Sequence, residues 1–235
     1  RIVVPLKKIS KPMRQAVVSR EDRRFFRHAG VDIQGVMRAF VATYVKKGAT
    51  QGGSSLTQQY VKNVLLLQAQ EDNDPIAEYH ASEETVARKL REMLIAVQME
   101  KTYSKLEILQ GYLNIAQFGR GIYGVEMAAR RYFSTTADKL DIVQAATIAA
   151  ITKNPAAFDP SVESNQKASQ RERNIVLDLM YQEEYISQKQ RDEAKAKPLK
   201  DTLKLQDAQA GCSVSGDAAF FCDYVTKKIL NSNEF

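Results

Sequence analysis

Helical spacing of apolar residues is the feature of this sequence that most restricts its fold. Ile33, Val36, Phe40 and Tyr44 recur at the spacing of one helix face. Residues 140–151 read LDIVQAATIAAI and are apolar almost all round, which predicts a central buried helix. The alternation of apolar and polar residues that marks a half-buried strand is scarce. The sequence therefore predicts a mostly α fold.

End signals and apolar faces predict further helices. Ser104 and Glu107 have the spacing of a capping box, which starts a helix. A helix over residues 84–101 carries one apolar face, formed by Val86, Leu90, Met93, Leu94 and Val97. The other predicted helices begin at residues 32 and 55 and cover residues 125–133, 171–181 and 187–196. The helix that begins at residue 32 ends near Lys47 and Gly48.

Two segments are predicted to be irregular. Residues 68–84 are acidic and polar around Pro75, and they predict a long loop. After Pro198 the periodicity weakens, so residues 198–235 are predicted to be a linker, or the start of a following region.

Composition limits the class of protein. Of the 235 residues, 44% are hydrophobic and 26% are charged, which is typical of a globular domain. The formal net charge of +6 favours anionic partners: nucleic acid, lipid headgroups or phosphorylated substrates. No run reaches the roughly 20 apolar residues of a membrane helix. Since the chain opens on Arg1 and an apolar segment, we expect a fragment whose membrane anchor lies upstream.

The cysteines are too few for a metal cage. Cys212 and Cys222 are the only two, with nine residues between them. They are candidates for one disulfide, which an extracytoplasmic location would favour, and two unrelated free thiols are the alternative.

A first polar cluster surrounds Glu21. Asp22, Phe25 and His28 follow within seven residues, together with several arginines. Acid pairs in basic segments are common on protein surfaces, and a lone histidine is more often structural. However, a carboxylate among aromatic and cationic neighbours at the start of a turn can be partly desolvated, and a desolvated carboxylate is a stronger general base.

A second cluster, QGGSSLTQQYVKN, covers residues 51–63. It combines two glycines with hydroxyl, amide and ammonium side chains, contributed by Gln51, Ser54, Ser55, Gln58, Gln59 and Lys62. A glycine-rich turn entering a helix presents backbone N–H groups to an anion. A plain polar loop is the alternative. The density of donors favours ligand binding.

Two further clusters are less specific alone. Arg88, Lys89 and Glu92 lie within two turns of one predicted helix, where such groups usually form a solvated salt bridge. Asn114 precedes three glycines, at positions 119, 121 and 124, that force a backbone excursion.

In this order and spacing, the clusters resemble the signature motifs of peptidoglycan glycosyltransferases, the family found in class A penicillin-binding proteins and monofunctional transglycosylases. The matching segments are EDRRFFRHAGVD, QGGSSLTQQYVKN, RKLRE, KLEILQGYLNIAQFGRGIYGVEMAARRYF and QAATIAAITKNPAAFDP with RERNIVLDLM. The resemblance implies a lysozyme-like fold of two lobes over residues 1–197, with a membrane-facing smaller lobe around residues 45–90. It also implies the substrate, lipid II, a disaccharide-pentapeptide on undecaprenyl pyrophosphate.

The resemblance further implies a role for each matched residue. Glu21 matches the general base that deprotonates the acceptor 4-hydroxyl, and Glu92 matches a second carboxylate on the donor side. Lys62, Arg88 and Lys89 fall where the family places cations around the leaving group. Asp22, Phe25, His28 and Gln51 belong to the matched motifs, and the positions that line or shape the cleft are Ser54, Ser55, Gln58, Gln59 and Asn114.

General chemistry agrees with these roles. A sugar hydroxyl is a poor nucleophile, and a general base accelerates its attack by roughly 10²–10⁴-fold. Pyrophosphate leaves as an anion, so lysine, arginine or a divalent cation (Mg²⁺ or Mn²⁺) is needed to neutralise it, and no organic cofactor is expected. Attack opposite the leaving group inverts the α-linked carbon to β, without a covalent glycosyl-enzyme.

Membrane lipid is a further expected partner. Val64, Leu65, Leu66 and Leu67 follow the second cluster, and the family interpretation is that this part of the smaller lobe contacts the bilayer; a core segment is the alternative. We therefore expect a protein at the extracytoplasmic face of the bacterial plasma membrane, bound to lipid II, the growing glycan strand and the cell-wall synthesis machinery, and inhibited by moenomycin.

Three other functions compete with this one. A lysozyme-like enzyme that cleaves glycan also uses a glutamate in a helical cleft, but it does not need Lys62, Arg88 and Lys89. A silent module that binds lipid-linked precursors does not need both Glu21 and Glu92. A DNA-binding protein is suggested by charge alone, and no recognition-helix signature supports it, so no nucleic-acid partner is expected.

Overall fold

The protein is mostly helical, as the sequence predicts. The computed structural model describes residues 1–40 and 53–206 and single positions between 218 and 228, and within these ranges it contains no strand beyond one isolated bridge, Gln117 to Tyr123. The α-helices of the described part are α1 Lys11–Glu21, α2 Ile33–Phe40, α3 Leu56–Glu71, α4 Pro75–Ser82, α5 Val86–Thr102, α6 Lys105–Ile115, α7 Val125–Phe133, α8 Ile142–Ile151, α9 Gln166–Gln182, α10 Gln188–Ala196 and α11 Leu199–Thr202. The predicted helix end near Lys47 and Gly48 lies outside the described residues.

The helices form two packing groups. In the larger lobe, α8 packs against α1, α7, α9 and α10. In the smaller lobe, α3 packs against α4 and α5. Helix α6 contacts both α3 and α7, so it connects the two groups. The last turn of α1 and the first turn of α3 meet between the lobes, where Leu56 N–H donates to Asp22 Oδ2 at 3.0 Å.

Helix α8 is the centre of the core, which confirms the prediction for residues 140–151. All its residues except Ile142 and Gln144 are buried. An α-helix can be apolar all round only if neighbours cover every side, and α1, α7, α9 and α10 do so here. Asp141 caps its start by accepting a hydrogen bond from Gln144 N–H at 2.8 Å.

The predicted loop over residues 68–84 is wrong. Helix α3 continues to Glu71, and Pro75–Ser82 forms α4. Asp74 Oδ1 accepts from the N–H groups of Ile76 and Ala77, both at 3.0 Å, so it caps α4. Pro75 occupies the first turn, where a missing N–H costs nothing. The proline that suggested a loop therefore starts a helix.

The apolar face of α5 points outward instead of into the core. Val86 is 77% exposed, Leu90 56% and Leu94 74%. At the start of α2, Ile33 and Met37 are 72% and 64% exposed. No helix among the described residues is long and apolar enough to span a bilayer.

Close backbone contacts explain two of the glycines. Gly30 has φ +83°, and a Cβ there would lie 2.7 Å from Val97 N, so the chain before α2 is held against α5. Gly124 has φ +84°, and a Cβ there would lie 2.6 Å from Asn114 O. Residues with a side chain rarely adopt this conformation, so both turns require glycine.

Residues after Pro198 continue to contact the helical body. Leu199 is buried, and the N–H groups of Lys204 and Gln206 donate to the carbonyls of Tyr132 and Arg131, at 2.8 and 2.9 Å. The boundary at residues 197 and 198 stays a prediction. Further along the chain, Cys222 is disulfide-bonded. Cys212, the only other cysteine, lies outside the described residues.

Candidate functional site

Glu21 lies where two cavities meet. It is the last residue of α1, and its side chain borders both a smaller cavity of about 480 Å³ and a larger one of about 680 Å³. Arg20 and Ser54 also line both cavities. A carboxylate at such a junction can contact two ligands at once.

Two neutral groups hold the Glu21 carboxylate. Gln59 Nε2 donates to Oε2 at 2.6 Å, and the Thr152 hydroxyl donates to Oε1. Behind them, the Tyr112 hydroxyl donates to Gln59 Oε1 at 3.3 Å. Burial, and secondarily the negative charge of Glu21, raise the pKa of Tyr112 well above its ordinary value, so Tyr112 remains a donor.

Asp22 and His28 form a buried pair beside Glu21. His28 Nε2 lies 2.8 Å from Asp22 Oδ2, and the same oxygen accepts the Leu56 N–H. Both side chains are almost fully buried. The structure thus brings together two residues predicted to bind substrate, and uses them to join α1 to the start of α3.

The second cluster forms the start of α3. Ser55 and Gln58 make a capping box, and the Ser55 hydroxyl also donates to Gly30 O. Gln58 is buried, whereas Ser54, Gln59 and Lys62 line the larger cavity. Gln51 lies outside the described residues.

Glu92 is buried between two cations. Arg88 Nη1 donates to its Oε1, and Lys89 Nζ lies 3.1 Å from its Oε2. The Lys89 ammonium also donates to the Ser54 hydroxyl, which joins α5 to the start of α3. Glu92 is 2% exposed, so these two partners compensate its charge almost alone.

Cations outnumber carboxylates around the larger cavity. The described residues that line it include Arg20, Lys62, Arg88, Lys89 and Lys153, against Glu21 and Glu92. Glu172 accepts from Arg20 at 2.7 Å and from Lys153 at 3.1 Å. Lys62 has no carboxylate within 4.0 Å among the described residues. This charge balance suits an anionic ligand.

Phe25 and Asn114 support the cleft from behind. Phe25 is fully buried, with the Lys105 ammonium 4.5 Å from its ring centroid. The Asn114 amide bonds both the N–H and the carbonyl of Val4, each at 2.9 Å, and so anchors the extended N-terminal segment. Neither residue lines a cavity described above. Their part in substrate binding stays a prediction.

The run Val64–Leu67 lies in the middle of α3 and is half-buried. Its side chains are therefore less exposed than those of Val86, Leu90 and Leu94 on α5. The prediction that this run contacts the membrane stays a prediction.

Sequence reasoning missed four residues of the site: Arg20, Tyr112, Thr152 and Lys153. Thr152 and Lys153 directly follow α8, the most apolar of the described helices. A polar pair at the end of an otherwise buried helix was a signal that could have found them. Tyr112 resembled an ordinary core residue, because its neighbours in α6 are apolar.

No cluster of three or more His, Cys, Asp or Glu suited to a metal occurs among the described residues. Glu92 already has two cationic partners, and the Glu21 oxygens accept two hydrogen bonds. These side chains do not fit a metal held by the protein alone.

Comparisons with known proteins agree on one family. The family described as Transglycosylase matches residues 1–181. Penicillin-binding protein 1A of Aquifex aeolicus is 38% identical over 88% of this chain and 26% of its own length. Penicillin-binding protein 1A/1B of Bacillus subtilis is 34% identical over 97% of this chain and 23% of its own length. The chain thus spans about a quarter of these relatives. A crystal structure of penicillin-binding protein 1A from Haemophilus influenzae matches 73% of this chain and 19% of its own, with 25% identity and a TM-score of 0.39.

Proposed function

This chain belongs to the transglycosylase family, and from that premise we propose that it polymerises lipid II into β-1,4 glycan strands, with Glu21 as general base. The observation that carries the proposal is the position of Glu21 at the junction of two cavities, one of them lined by cations. The smaller cavity receives the acceptor sugar, and the larger one the donor with its pyrophosphate.

A general base needs hydrogen-bond partners that orient its carboxylate and leave it able to accept a proton. Glu21 accepts hydrogen bonds from Gln59 and Thr152, and both are uncharged. A carboxylate paired with lysine or arginine would be held as an anion. Neutral partners orient Glu21 and still allow it to take a proton from the acceptor 4-hydroxyl.

The reaction is a single displacement. The acceptor oxygen forms a bond to the donor anomeric carbon, and its proton passes to Glu21. The bond between that carbon and the pyrophosphate oxygen breaks, and its electron pair leaves with the pyrophosphate. Because attack and departure are on opposite faces, the configuration changes from α to β.

Charge stabilisation of the leaving group comes from the larger cavity. Lys62, Arg88 and Lys89 supply cations on one wall, and Arg20 and Lys153 supply them on the other. Glu92 holds Arg88 and Lys89 in place, so its catalytic contribution is to fix the position of those cations. The described side chains do not fit a divalent cation held by the protein alone, so a Mg²⁺ or Mn²⁺ ion here would be held mainly by the pyrophosphate and would add to the same charge neutralisation.

We place the membrane contact on two exposed apolar patches, Ile33 and Met37 of α2 and Val86, Leu90 and Leu94 of α5. These side chains are 56–77% exposed, and Gly30 holds the start of α2 against α5. Burying such patches in lipid is favourable, and a lipid-linked substrate is presented at the bilayer surface. The proposed location is the extracytoplasmic face of the bacterial plasma membrane, beside the cell-wall synthesis machinery.

Vesicle binding tests the membrane contact. Leu90→Ser with Leu94→Ser should weaken binding to anionic vesicles roughly tenfold or more and leave the melting temperature nearly unchanged. The matched pair is Leu65→Ser with Leu66→Ser on half-buried α3, which should mainly lower the melting temperature. The reverse ranking would place the contact at Val64–Leu67 instead.

Turnover of labelled lipid II tests the activity. Long glycan strands should form, and moenomycin should prevent them. Shortening of preformed glycan would indicate a glycan-cleaving enzyme, and binding of lipid II without product would indicate a silent binding module.

A further inference from the structure

Two residues outside the predicted site complete the surroundings of Glu21. We propose that Tyr112 and Thr152 are positioning residues of the reaction, which orient the Glu21 carboxylate in both of its protonation states. The inference rests on the proposed role of Glu21 as general base. The inference does not require Tyr112 or Thr152 to contact the substrate.

Tyr112 acts through Gln59. A glutamine side chain has an oxygen at one end and an NH₂ group at the other, and the two ends are similar in shape. The Tyr112 hydroxyl donates to the oxygen at 3.3 Å, which turns the NH₂ group toward Glu21 Oε2, at 2.6 Å. Tyr112 is 2% exposed, so its hydroxyl is largely shielded from bulk water. Without the hydroxyl, only the Glu21 carboxylate itself selects that orientation of Gln59, and it does so only while it is ionised, because a protonated carboxyl group can also donate to an amide oxygen.

Thr152 contacts Glu21 directly and has a second acceptor in reach. Its oxygen lies 2.8 Å from Ala149 O, and its hydroxyl has a single proton. While Glu21 is a carboxylate, that proton points to Glu21 Oε1. Once Glu21 has taken the acceptor proton, Thr152 turns its own proton to Ala149 O and accepts from Glu21. No heavy atom moves, so the base keeps its geometry through the step.

Charged groups face Glu21 from several elements, and the test leaves them all unchanged. They are Asp22, Arg23 and Asp32 around the smaller cavity, Arg20 on α1, Lys62 on α3, Arg88, Lys89 and Glu92 on α5, Lys153 after α8, and Glu172 on α9 behind Arg20. The substitutions below replace neutral side chains by neutral ones.

Steady-state kinetics of the 235-residue chain with lipid II test the inference. Tyr112→Phe should lower kcat roughly three- to tenfold, and Thr152→Val roughly ten- to hundredfold, because the second loses a hydrogen bond to a charged group. KM should change little in both. Thr152→Ser keeps the hydroxyl and should restore most of the loss.

Matched controls separate positioning from stability. Tyr132→Phe removes a buried hydroxyl that donates to Phe118 O at 2.8 Å, and Thr147→Val removes one that donates to Val143 O at 2.8 Å. Neither contacts Glu21 in the structure. Both should lower the melting temperature and leave kcat unchanged. Equal kcat losses in the controls and in the Tyr112 and Thr152 variants would overturn the inference.

A measurement without substrate keeps the two hypotheses apart. In ¹⁵N-labelled protein, one side-chain amide proton of Gln59 should resonate far downfield, since it donates to a carboxylate at 2.6 Å. Tyr112→Phe should reduce this shift, because Gln59 then loses the donor that fixes its other end, and Tyr132→Phe should leave it unchanged. If the Gln59 shift responds to Tyr112→Phe but the wild-type chain makes no glycan, the proposed function is refuted. The hydrogen-bonded arrangement of Tyr112, Gln59 and Glu21 is then still supported. If glycan forms and neither the shift nor kcat responds, the positioning roles are refuted.

Discussion

Glu21 and Glu92 are both glutamates at the same cavity, yet their surroundings differ in charge. Glu21 accepts hydrogen bonds from an amide and a hydroxyl, whereas Glu92 lies between an arginine and a lysine. Neutral donors orient a carboxylate and leave it able to take a proton. Two cations compensate the charge of a buried carboxylate, and the carboxylate in turn holds the cations in place. We conclude that the first site is suited to proton transfer and the second to organising positive charge.

The largest expected effect is the loss of activity on replacing Glu21. Glu21→Gln should lower kcat by roughly 10³-fold, within the range for loss of a general base, and the melting temperature should stay nearly unchanged. The amide can still accept from Gln59 and donate to Thr152, so the fold is preserved. Chain growth at the wild-type rate in this variant would remove Glu21 from the mechanism.

Replacement of Glu92 should mainly lower the stability of the protein, whereas replacement of Glu21 should mainly lower its activity. Glu92→Gln leaves Arg88 and Lys89 without their anion, and it should destabilise the protein by about 3 kcal/mol in urea unfolding, because Arg88 is largely buried. Adding Arg88→Met should recover part of that loss. If Glu92→Gln were as stable as wild type, the ion cluster would not be what holds α5 to the start of α3.

A third carboxylate, Asp22, sharpens the comparison because it is adjacent to Glu21 in the chain. Asp22→Asn weakens its bonds to His28 and Leu56, and the expected loss of stability is about 1–3 kcal/mol. Thermal unfolding measures it, and Glu21→Gln is the matched control. If Asp22→Asn lowered kcat without lowering the melting temperature, Asp22 would have a direct part in catalysis.

The smallest expected effect concerns a cation outside the Glu92 cluster. Lys62→Met should raise KM for lipid II roughly tenfold, and the wild-type KM should rise with ionic strength more steeply than that of the variant. Lys200→Met, on the surface of α11, is the control. An unchanged KM for Lys62→Met would mean that this ammonium does not face the pyrophosphate.

Much of the local structure could be predicted from the sequence. The capping box at Ser104 and Glu107, the buried helix over residues 140–151 and the turn glycines all follow from short-range rules, and each is present. The predicted loop over residues 68–84 was wrong although it also came from a short-range rule. An aspartate followed by proline, as at Asp74 and Pro75, can start a helix as readily as it can form a turn.

The sequence by itself determined that the fold is mostly α-helical, where several of its helices lie and which of their faces are apolar, and that Glu21 belongs to a polar cluster. Tertiary structure alone decided what those faces and clusters meet. It joins Glu21 to Thr152 across 131 positions, buries Asp22 beside it as a structural link, and turns the apolar face of α5 outward. The physical reason is that helical periodicity depends on near neighbours in the chain, whereas charge compensation and burial depend on residues that only folding brings close.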